Sequence, residues 1–430
     1  MRLILEKPFN VKQGKLYIEK VSCVELVENY GSPLYVTSLQ ALNSNINSYL
    51  NAFSKTNFDV KFLYAVKANN NLTIMRLIAK KGFGADVFSD GELYMALLAG
   101  FDRNYILFNG NSKSDEEIRM GVEAGVSFSV DSIDELNAII RVAKELDRVV
   151  RIAFRVNPDI SPETHPKIAT GLKTSKFGIP WKDIKKAYEY AIKNKNLLVS
   201  GIHCHIGSQI TDISPFVEAI KRMFDVAKEI EKLGVDIEFI DIGGGLGIDY
   251  EGKGAPTPSE FAEKIVPAFE MGLSSINSQP ELWIEPGRSI VGNTTVLLTR
   301  VNAVKKAYKN FVAVDAGFNL LVRPAMYNAY HKVTVANKMD ERESEIYTIV
   351  GPICESGDIL AEDRKLPVVE RGDIIAIFDV GAYGFSMSSQ YNGRRRCAEV
   401  LVDNDRTYVI RERESYSDLV ANQLLPVEFI

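Results

Sequence analysis

The sequence has few cysteines, no long apolar run and no excess of positive charge, and each shortage argues against a class of protein. Its four cysteines, Cys23, Cys204, Cys354 and Cys397, lie far apart and form no CxxC pair. They indicate neither a zinc site nor a disulfide framework, which fits a reducing cytoplasm. No stretch approaches the ~20 apolar residues of a membrane-spanning helix, and MRLILEKPFN lacks the apolar core of a signal peptide. The sequence therefore predicts a cytoplasmic protein that does not enter a membrane.

Charge and composition argue against nucleic acid as a partner. The 430 residues carry a net charge of -5, and 46% of them are hydrophobic. These values are ordinary for globular proteins, and the length is sufficient for two domains. The one basic run, residues 394–396, is short, and such runs usually form a solvated face.

Short apolar runs, each followed by a polar or glycine-rich corner and then by helical periodicity, recur along the first two thirds of the chain. Eight such runs begin at Phe62, Gly84, Tyr105, Phe128, Arg151, Gly201, Phe239 and Leu282. The first four are about 22 residues apart, which accommodates one strand, one loop and one helix. Eight units predict a (β/α)8 barrel; without that count, an open doubly wound sheet would be favoured.

The pattern changes after Gly287, where strands and turns replace helical periodicity. The segments NFVAVDAG, YTIVGPIC and GDIIAIFDVGAYG are β-rich, and GKLYIEKVSCVEL near the start has the same character. We therefore expect an α/β protein with a barrel in residues 33–287. A second, mostly antiparallel β-domain is expected to combine residues 1–32 with residues 288–430.

Two helices have recognisable limits in the sequence. In NLTIMRLIAKKG, Leu72, Met75 and Ile78 are expected on one face, and Gly82 is the expected end of the helix. A later helix is expected to begin after Asp131 or Ser132, either of which can act as its N-cap.

Reactive groups of such a barrel collect at the C-terminal ends of its strands. The residues found there are Lys67, Asp86, Asn109, Asp131, Arg155, His205, the glycine-rich residues 243–247 and Glu285. Lys67 directly follows the run FLYAV, so its amine could lie in an apolar pocket and form a Schiff base. The alternative is a lysine that ends a strand at the surface.

The glycine-rich segment DIGGGLG follows the seventh run and is suited to phosphate, because glycine lets backbone N–H groups approach an anion closely. A flexible turn is the alternative. His203 and His205 alternate along the sixth run and could chelate a metal in a barrel hydrolase. A histidine stacked on a cofactor ring agrees better with the lysine and the glycines, and no metal is expected.

Eight motifs in a fixed order resemble the diaminopimelate decarboxylases, a branch of the pyridoxal-phosphate-dependent decarboxylases with an alanine-racemase-like barrel. The motifs are YAVKAN, GADVFSDGEL, HCHIGSQ, GGGLG, EPGR, RPAMYNAYH, GPICESGD and DVGAYGFSM. The resemblance extends from about Gly31 nearly to the C-terminus, where RERESYSDLV belongs to it.

The resemblance implies a pyridoxal phosphate site. Lys67 would hold the cofactor covalently, Glu285 would face the pyridine nitrogen, and His205 would stack on the ring. The amide of Gly245 and its neighbours, with Ser208, would bind the phosphate. The complete set of implied cofactor residues is Lys67, Asp86, His205, Ser208, Gly243, Gly244, Gly245, Glu285, Gly287, Arg288 and Tyr383.

The resemblance also implies how a substrate is bound and how a proton returns to it. The implied substrate residues are Arg288, Arg323, Tyr327, Glu355 and Tyr383. The Cys354 thiol would be the general acid, although a cysteine considered alone is more often inert. Cys354 and Glu355 would enter from a partner subunit, which implies a homodimer with shared sites.

The charged residues implied for the substrate site favour meso-diaminopimelate as the substrate. Its decarboxylation to L-lysine is the last step of lysine biosynthesis. Arg288 and Arg323 suit a second carboxylate, and Glu355 suits a distal ammonium. Decarboxylases of ornithine, arginine or carboxynorspermidine are alternatives. The resemblance argues against alanine racemase as the function, because that family places an arginine at the position of Glu285. A non-catalytic homologue that binds pyridoxal phosphate is a further alternative, but it would be expected to lose Lys67 or Cys354.

Overall fold

The computed structural model describes residues 7–160, 171 and 175–429. The chain forms two compact units. The first, here called the β-unit, comprises Met1–Ser44, Tyr250–Gly252 and Val291–Ile430. The second, here called the barrel unit, comprises Asn45–Asp249 and Lys253–Ile290.

The N-terminal part of the chain alternates short strands with helices. Its elements are β1 (Phe9–Lys12), β2 (Lys15–Ile18), β3 (Val21–Ser22), α1 (Cys23–Tyr30), β4 (Leu34–Ser38) and α2 (Leu39–Ala52). The first three strands form a small antiparallel sheet. The boundary between the units lies after Ser44 rather than after residue 32, because β4 belongs to the large sheet of the β-unit and not to the barrel.

Parallel strands close into a ring in the barrel unit. Its strands are β5 (Val60–Ala65), β6 (Gly84–Val87), β7 (Ile106–Phe108), β8 (Ser127–Val130), β9 (Val150–Asn157), β10 (Ile179–Pro180), β11 (Leu197–His203), β12 (Phe239–Asp241) and β13 (Glu281–Ile284). Eight of them form the ring, which closes where β13 pairs with β5, while the short β10 pairs only with β9. The eight apolar runs are these eight strands, so the predicted (β/α)8 barrel is confirmed.

Helices follow the barrel strands. They are α3 (Leu72–Ala79), α4 (Asp90–Ala99), α5 (Asp115–Ala124), α6 (Ile133–Glu145), α7 (Ile184–Ala191), α8 (Ser214–Glu231) and α9 (Pro258–Leu273). Serine or threonine hydroxyls cap the first turns of four of these helices, α4, α5, α6 and α9. For α6 the cap is Ser132, one of the two expected residues.

The prediction for α3 was wrong in two details. Leu72 is 41% exposed, and the buried face contains Ile74 together with Met75 and Ile78. Leu72 is the first residue of the helix, where no preceding turn helps to cover it. The helix ends at Ala79 rather than at Gly82, which lies beyond it at a φ of +84°.

A large, mostly antiparallel sheet forms the β-unit. Helix α10 (Arg288–Val291) ends the barrel unit and reaches the first residue of the next part of the β-unit. The remaining elements of the β-unit are β14 (Thr295–Lys306), β15 (Asn310–Val314), α11 (Arg323–Tyr327), β16 (Val333–Val335), β17 (Glu345–Val350), β18 (Ile359–Leu366), β19 (Ile374–Ile377), β20 (Ala398–Asp403) and β21 (Arg406–Arg411). The main path of the sheet is β18-β17-β15-β14-β4-β20-β21, and β19 pairs with β14 and β16. The expected second β-rich domain is therefore confirmed as a fold class. Among the described residues, no helix has the length and apolar character needed to cross a membrane.

Candidate active site

Lys67 lies at the C-terminal end of the first barrel strand. Strand β5 ends at Ala65, and a 3₁₀ turn over Val66–Ala68 follows it directly. The Lys67 amine pairs with the carboxylate of Asp86, which follows on β6, and lies 5.3 Å from the centroid of the Phe88 ring. The Lys67 side chain remains 32% exposed. Its amine is therefore held in place and still accessible.

An amide links the two buried carboxylates beside this lysine. Nδ2 of Asn109 donates to Oδ1 of Asp86 at 2.7 Å and to Oε1 of Glu285 at 2.6 Å. Burial raises the pKa of Asp86, the nearby Glu285 charge raises it further, and Lys67 opposes both effects. Burial also raises the pKa of Glu285, against the charges of Lys67 and Arg155. A cation that entered beside Glu285 would relieve the cost of burying its negative charge.

His203 and Asp241 end the strands that lie before Glu285 in the ring. Nδ1 of His203 is 2.6 Å from Oγ of Ser129, and Oδ1 of Asp241 accepts the N–H of Gly243 at 2.7 Å. Burial, followed by the charge of Arg155, holds the pKa of His203 well below its usual value. Burial and Glu285 together raise the pKa of Asp241.

One group of possible metal ligands exists within the described part of the chain, and it differs from the pair of histidines, His203 and His205, that the sequence offered as an alternative to a cofactor site. His203, Asp241 and Glu285 offer ligand atoms within 4.8 Å of one another. His205 is not among them, and its Nδ1 accepts the N–H of Gly244 at 3.1 Å. Burial and the Arg155 charge lower the pKa of His205 as well, which favours a neutral ring.

The glycine-rich segment after β12 requires glycine for steric reasons. A Cβ atom on Gly244 would lie 1.9 Å from the backbone oxygen of Glu285. Gly245 has a φ of +116°, and a Cβ atom there would lie 2.3 Å from the oxygen of Gly207. The segment thus brings its backbone close to the ends of two neighbouring strands.

An arginine and a serine lie beside this segment in the barrel unit. Nη2 of Arg288 donates to Oγ of Ser208 at 2.9 Å. Arg288 is buried at the start of α10, directly after Gly287, where a Cβ atom would lie 2.9 Å from that of Ala65. The pair offers a guanidinium and a hydroxyl to an anion.

In the β-unit, Arg323 is the first residue of α11. Its Nη1 donates to Nε2 of His331 at 2.8 Å, and Nδ1 of His331 then donates to the carbonyl of Phe378 at 2.8 Å. This tautomer follows because arginine can only donate. The guanidinium also lies 4.6 Å from the centroid of the Tyr250 ring. Tyr327 ends the same helix.

Cys354 and Glu355 lie in the loop between β17 and β18. Cys354 is exposed, whereas Cys23, Cys204 and Cys397 are buried. The loop is held by Asp358, whose carboxylate accepts the N–H groups of Ile353 at 2.8 Å and Phe318 at 2.6 Å.

Tyr383 is held in an unusual backbone conformation in the β-unit. It has a φ of +57°, which few residues other than glycine adopt. Such strain often accompanies functional positions.

The structure brings many of the expected cofactor residues together at one end of the barrel. Within the barrel unit these are Lys67, Asp86, His205, Ser208, Gly243, Gly244, Gly245, Glu285, Gly287 and Arg288. Arg323, Tyr327, Cys354, Glu355 and Tyr383 belong to the β-unit. Sequence reasoning missed the link through Asn109, although this residue was recognised at a strand end.

Comparisons with known proteins point to one family. Residues 39–292 match the family model described as "Pyridoxal-dependent decarboxylase, pyridoxal binding domain". A diaminopimelate decarboxylase from Archaeoglobus fulgidus is 64% identical over 418 residues, which cover 97% of this chain and 99% of the relative. The diaminopimelate decarboxylase of Methanocaldococcus jannaschii is 44% identical over 425 residues, 97% of this chain and 96% of the relative. Its crystal structure in co-complex with L-lysine gives a TM-score of 0.93 at 43% identity and covers 99% of both chains.

Proposed function

The chain belongs to the diaminopimelate decarboxylase family of pyridoxal-dependent decarboxylases, and we propose that it converts meso-2,6-diaminopimelate to L-lysine and carbon dioxide. This reaction would be the last step of lysine biosynthesis. The observation that carries the proposal is the connection of Lys67, Asp86, Asn109 and Glu285 at the end of the barrel. It combines an accessible amine with a buried carboxylate, which are the two groups that pyridoxal phosphate chemistry requires.

The residues of the barrel unit fit pyridoxal phosphate. Lys67 would hold the cofactor covalently, with Asp86 orienting its amine. The Gly243–Gly245 backbone and the Ser208–Arg288 pair would bind its phosphate. His205, which is favoured as a neutral ring, would stack on the pyridine.

Glu285 would hold a proton on the pyridine nitrogen. Its carboxylate is buried and accepts a hydrogen bond from Asn109, so it lacks bulk water as a source of stabilisation. A cationic partner supplies that stabilisation, which favours the protonated form of the partner. Pyridoxal phosphate held there by Lys67 and Glu285 would supply an electron sink for the pair left on the α-carbon when carbon dioxide departs.

The far end of the substrate would be bound by charged groups. Arg323 presents a guanidinium that His331 and Tyr250 already orient, which suits bidentate binding of the distal carboxylate. Arg288 and Tyr327 would also bind the distal carboxylate. Glu355 would bind the distal ammonium, and Tyr383 would contact both substrate and cofactor.

The Cys354 thiol would return a proton to the α-carbon. Cys354 and Glu355 are exposed on the β-unit, as expected of groups that complete the site of a second subunit. The active form would then be a homodimer with shared sites. The four cysteines of the chain are free thiols, three of them buried, which supports a location in the cytoplasm.

A substrate panel tests the proposal. The protein, loaded with pyridoxal phosphate, is mixed separately with meso-diaminopimelate, ornithine, arginine and carboxynorspermidine, and the amine products are quantified. We expect lysine from diaminopimelate and no comparable turnover of the other three. Preferred turnover of another amino acid would contradict the assignment of the pocket, and no turnover with bound cofactor would favour a non-catalytic homologue.

A further inference from the structure

Asn392 contacts Cys354 through both ends of its side-chain amide. Oδ1 of Asn392 accepts the backbone N–H of Cys354 at 2.9 Å, and Nδ2 donates to Sγ at 3.2 Å. The two bonds restrain the backbone and the side-chain rotamer of the cysteine together. The donor on sulfur also leaves the thiol proton free to point elsewhere.

Tyr391 contacts both Cys354 and Glu355. Its hydroxyl donates to Oε1 of Glu355 at 2.7 Å, and the same oxygen lies 3.7 Å from Sγ of Cys354. The phenol proton of Tyr391 is already donated to the Glu355 carboxylate. A hydrogen bond between Sγ of Cys354 and the Tyr391 oxygen would therefore use the thiol proton. The Glu355 carboxylate, followed by Cys354, raises the pKa of Tyr391, so the phenol stays a donor.

The segment that carries these two side chains is itself held in place. The Tyr391 ring stacks on Phe318, with centroids 5.9 Å apart and planes 17° apart. Asn392 has a φ of +57°, a conformation that asparagine tolerates better than most residues. The N–H of Ser389 also donates to the carbonyl of Asn319 at 2.8 Å.

We propose that Tyr391 and Asn392 are positioning residues for the Cys354 thiol and the Glu355 carboxylate. This inference rests on the proposed function, in which the electron pair left on the α-carbon when carbon dioxide departs forms a C–H bond with the thiol proton as the S–H bond breaks. The thiolate then regains a proton from water. Asn392 would act on the thiol alone, whereas Tyr391 would act on the thiol and on the site for the distal ammonium.

Variants of Asn392 test the effect on the thiol. Asn392→Gly removes both bonds, and glycine adopts a positive φ readily, so the fold is retained. We expect kcat with meso-diaminopimelate to fall about tenfold, the loss of roughly one hydrogen bond in the transition state, while KM stays within about twofold. In deuterium oxide the wild type should place deuterium at C6 of lysine in one configuration. The variant should give a mixture of both.

Tyr391→Phe tests the effect on both groups, because it keeps the ring stacked on Phe318 and removes only the hydroxyl. We expect KM to rise and kcat to fall, each by roughly fivefold to tenfold. Tyr308→Phe is the matched control, since Tyr308 is fully exposed in the same unit. Wild-type kcat, KM and deuterium configuration in both Asn392→Gly and Tyr391→Phe would overturn the proposal.

Alkylation of Cys354 gives a readout that does not depend on turnover. Asn392→Asp places a carboxylate oxygen beside Sγ without changing the side-chain shape, which disfavours the nucleophilic thiolate. The rate of reaction with iodoacetamide, followed by mass spectrometry of the Cys354 peptide, should fall about tenfold. An unchanged rate would contradict the Asn392 contact. A wild-type protein that makes no lysine but shows this difference would instead overturn the proposed function.

Discussion

Nε2 of His203 lies 3.5 Å from Oε1 of Glu285, and each side chain is no more than 3% exposed. The contact is not an ion pair, because burial and the charge of Arg155 keep the pKa of His203 well below its usual value. Glu285 therefore has a neutral imidazole on one side and the Asn109 amide on the other. This environment leaves its negative charge available to a cationic partner.

The buried neutral state of His203 predicts a dependence of stability on pH. The unfolded chain binds a proton at this histidine below about pH 6.5, whereas the folded chain does not, so the free energy of unfolding falls as pH decreases. The contribution is at most about 1.4 kcal/mol per pH unit. His203→Gln removes it, so the melting temperature of the variant should fall less steeply than that of wild type between pH 7 and pH 5.

His205 and the buried carboxylates titrate in both proteins, so the difference between the two curves isolates His203. The raised pKa values of Asp86 and Glu285 have the opposite effect on the free energy of unfolding. The folded chain holds protons on these carboxyl groups more tightly than the unfolded chain does, so their contribution to stability decreases as pH rises. Parallel melting curves for wild type and His203→Gln would contradict the assignment of a neutral His203.

Gly244→Ala should reduce both stability and cofactor content. The new Cβ would lie 1.9 Å from the Glu285 carbonyl oxygen, and a backbone atom cannot move aside cheaply. We expect a loss of about 1–3 kcal/mol in the free energy of unfolding and weaker retention of pyridoxal phosphate. Gly91→Ala is the control, because its nearest neighbour would be 3.8 Å away. Equal behaviour of the two variants would argue against a close approach at Gly244.

The fold was predictable because its strands are short, apolar and regularly spaced. Each run from Phe62 onward became a barrel strand, and the change of pattern after Gly287 marked the second sheet. The role of β4 was not predictable, since its pairing partners, β14 and β20, lie more than 250 residues away in sequence. No local pattern distinguishes such a strand from a barrel strand.

The candidate site was predictable where a residue type has a specific chemistry. Lys67 at a strand end allowed either a Schiff base or a surface lysine, and the family resemblance favoured the cofactor role for Lys67 and implied that of Glu285. The link through Asn109 could not be foreseen, because a neutral amide has no chemical signature and its two partners come from distant parts of the chain. The same holds for Asn392 and Cys354.

Arg323→Lys should impair substrate binding. Lysine presents a single ammonium in place of a planar fork and loses the contact with His331. We expect KM for meso-diaminopimelate to rise about 10-fold to 100-fold, the equivalent of one or two charged hydrogen bonds. Arg406→Lys, on an exposed edge strand, is the control. An unchanged KM in steady-state assays would remove Arg323 from the substrate site.

Cys354→Ala should slow turnover without releasing the cofactor. The thiol is exposed on the β-unit, and the proposed cofactor-binding groups of the barrel unit are untouched by the change. We expect kcat to fall by about 10²-fold to 10⁴-fold, the usual contribution of a general acid. Cofactor content, measured by visible absorption, should match wild type. Wild-type turnover would rule out the acid role.

The most direct test of the account measures carbon dioxide and L-lysine together from meso-diaminopimelate, with the wild type and with Lys67→Ala. We expect one carbon dioxide per L-lysine from the wild-type protein with pyridoxal phosphate. We expect neither product from Lys67→Ala, which should also lack the visible absorption of the lysine-bound cofactor. Retained turnover in Lys67→Ala, or carbon dioxide without lysine from the wild type, would contradict the proposed function.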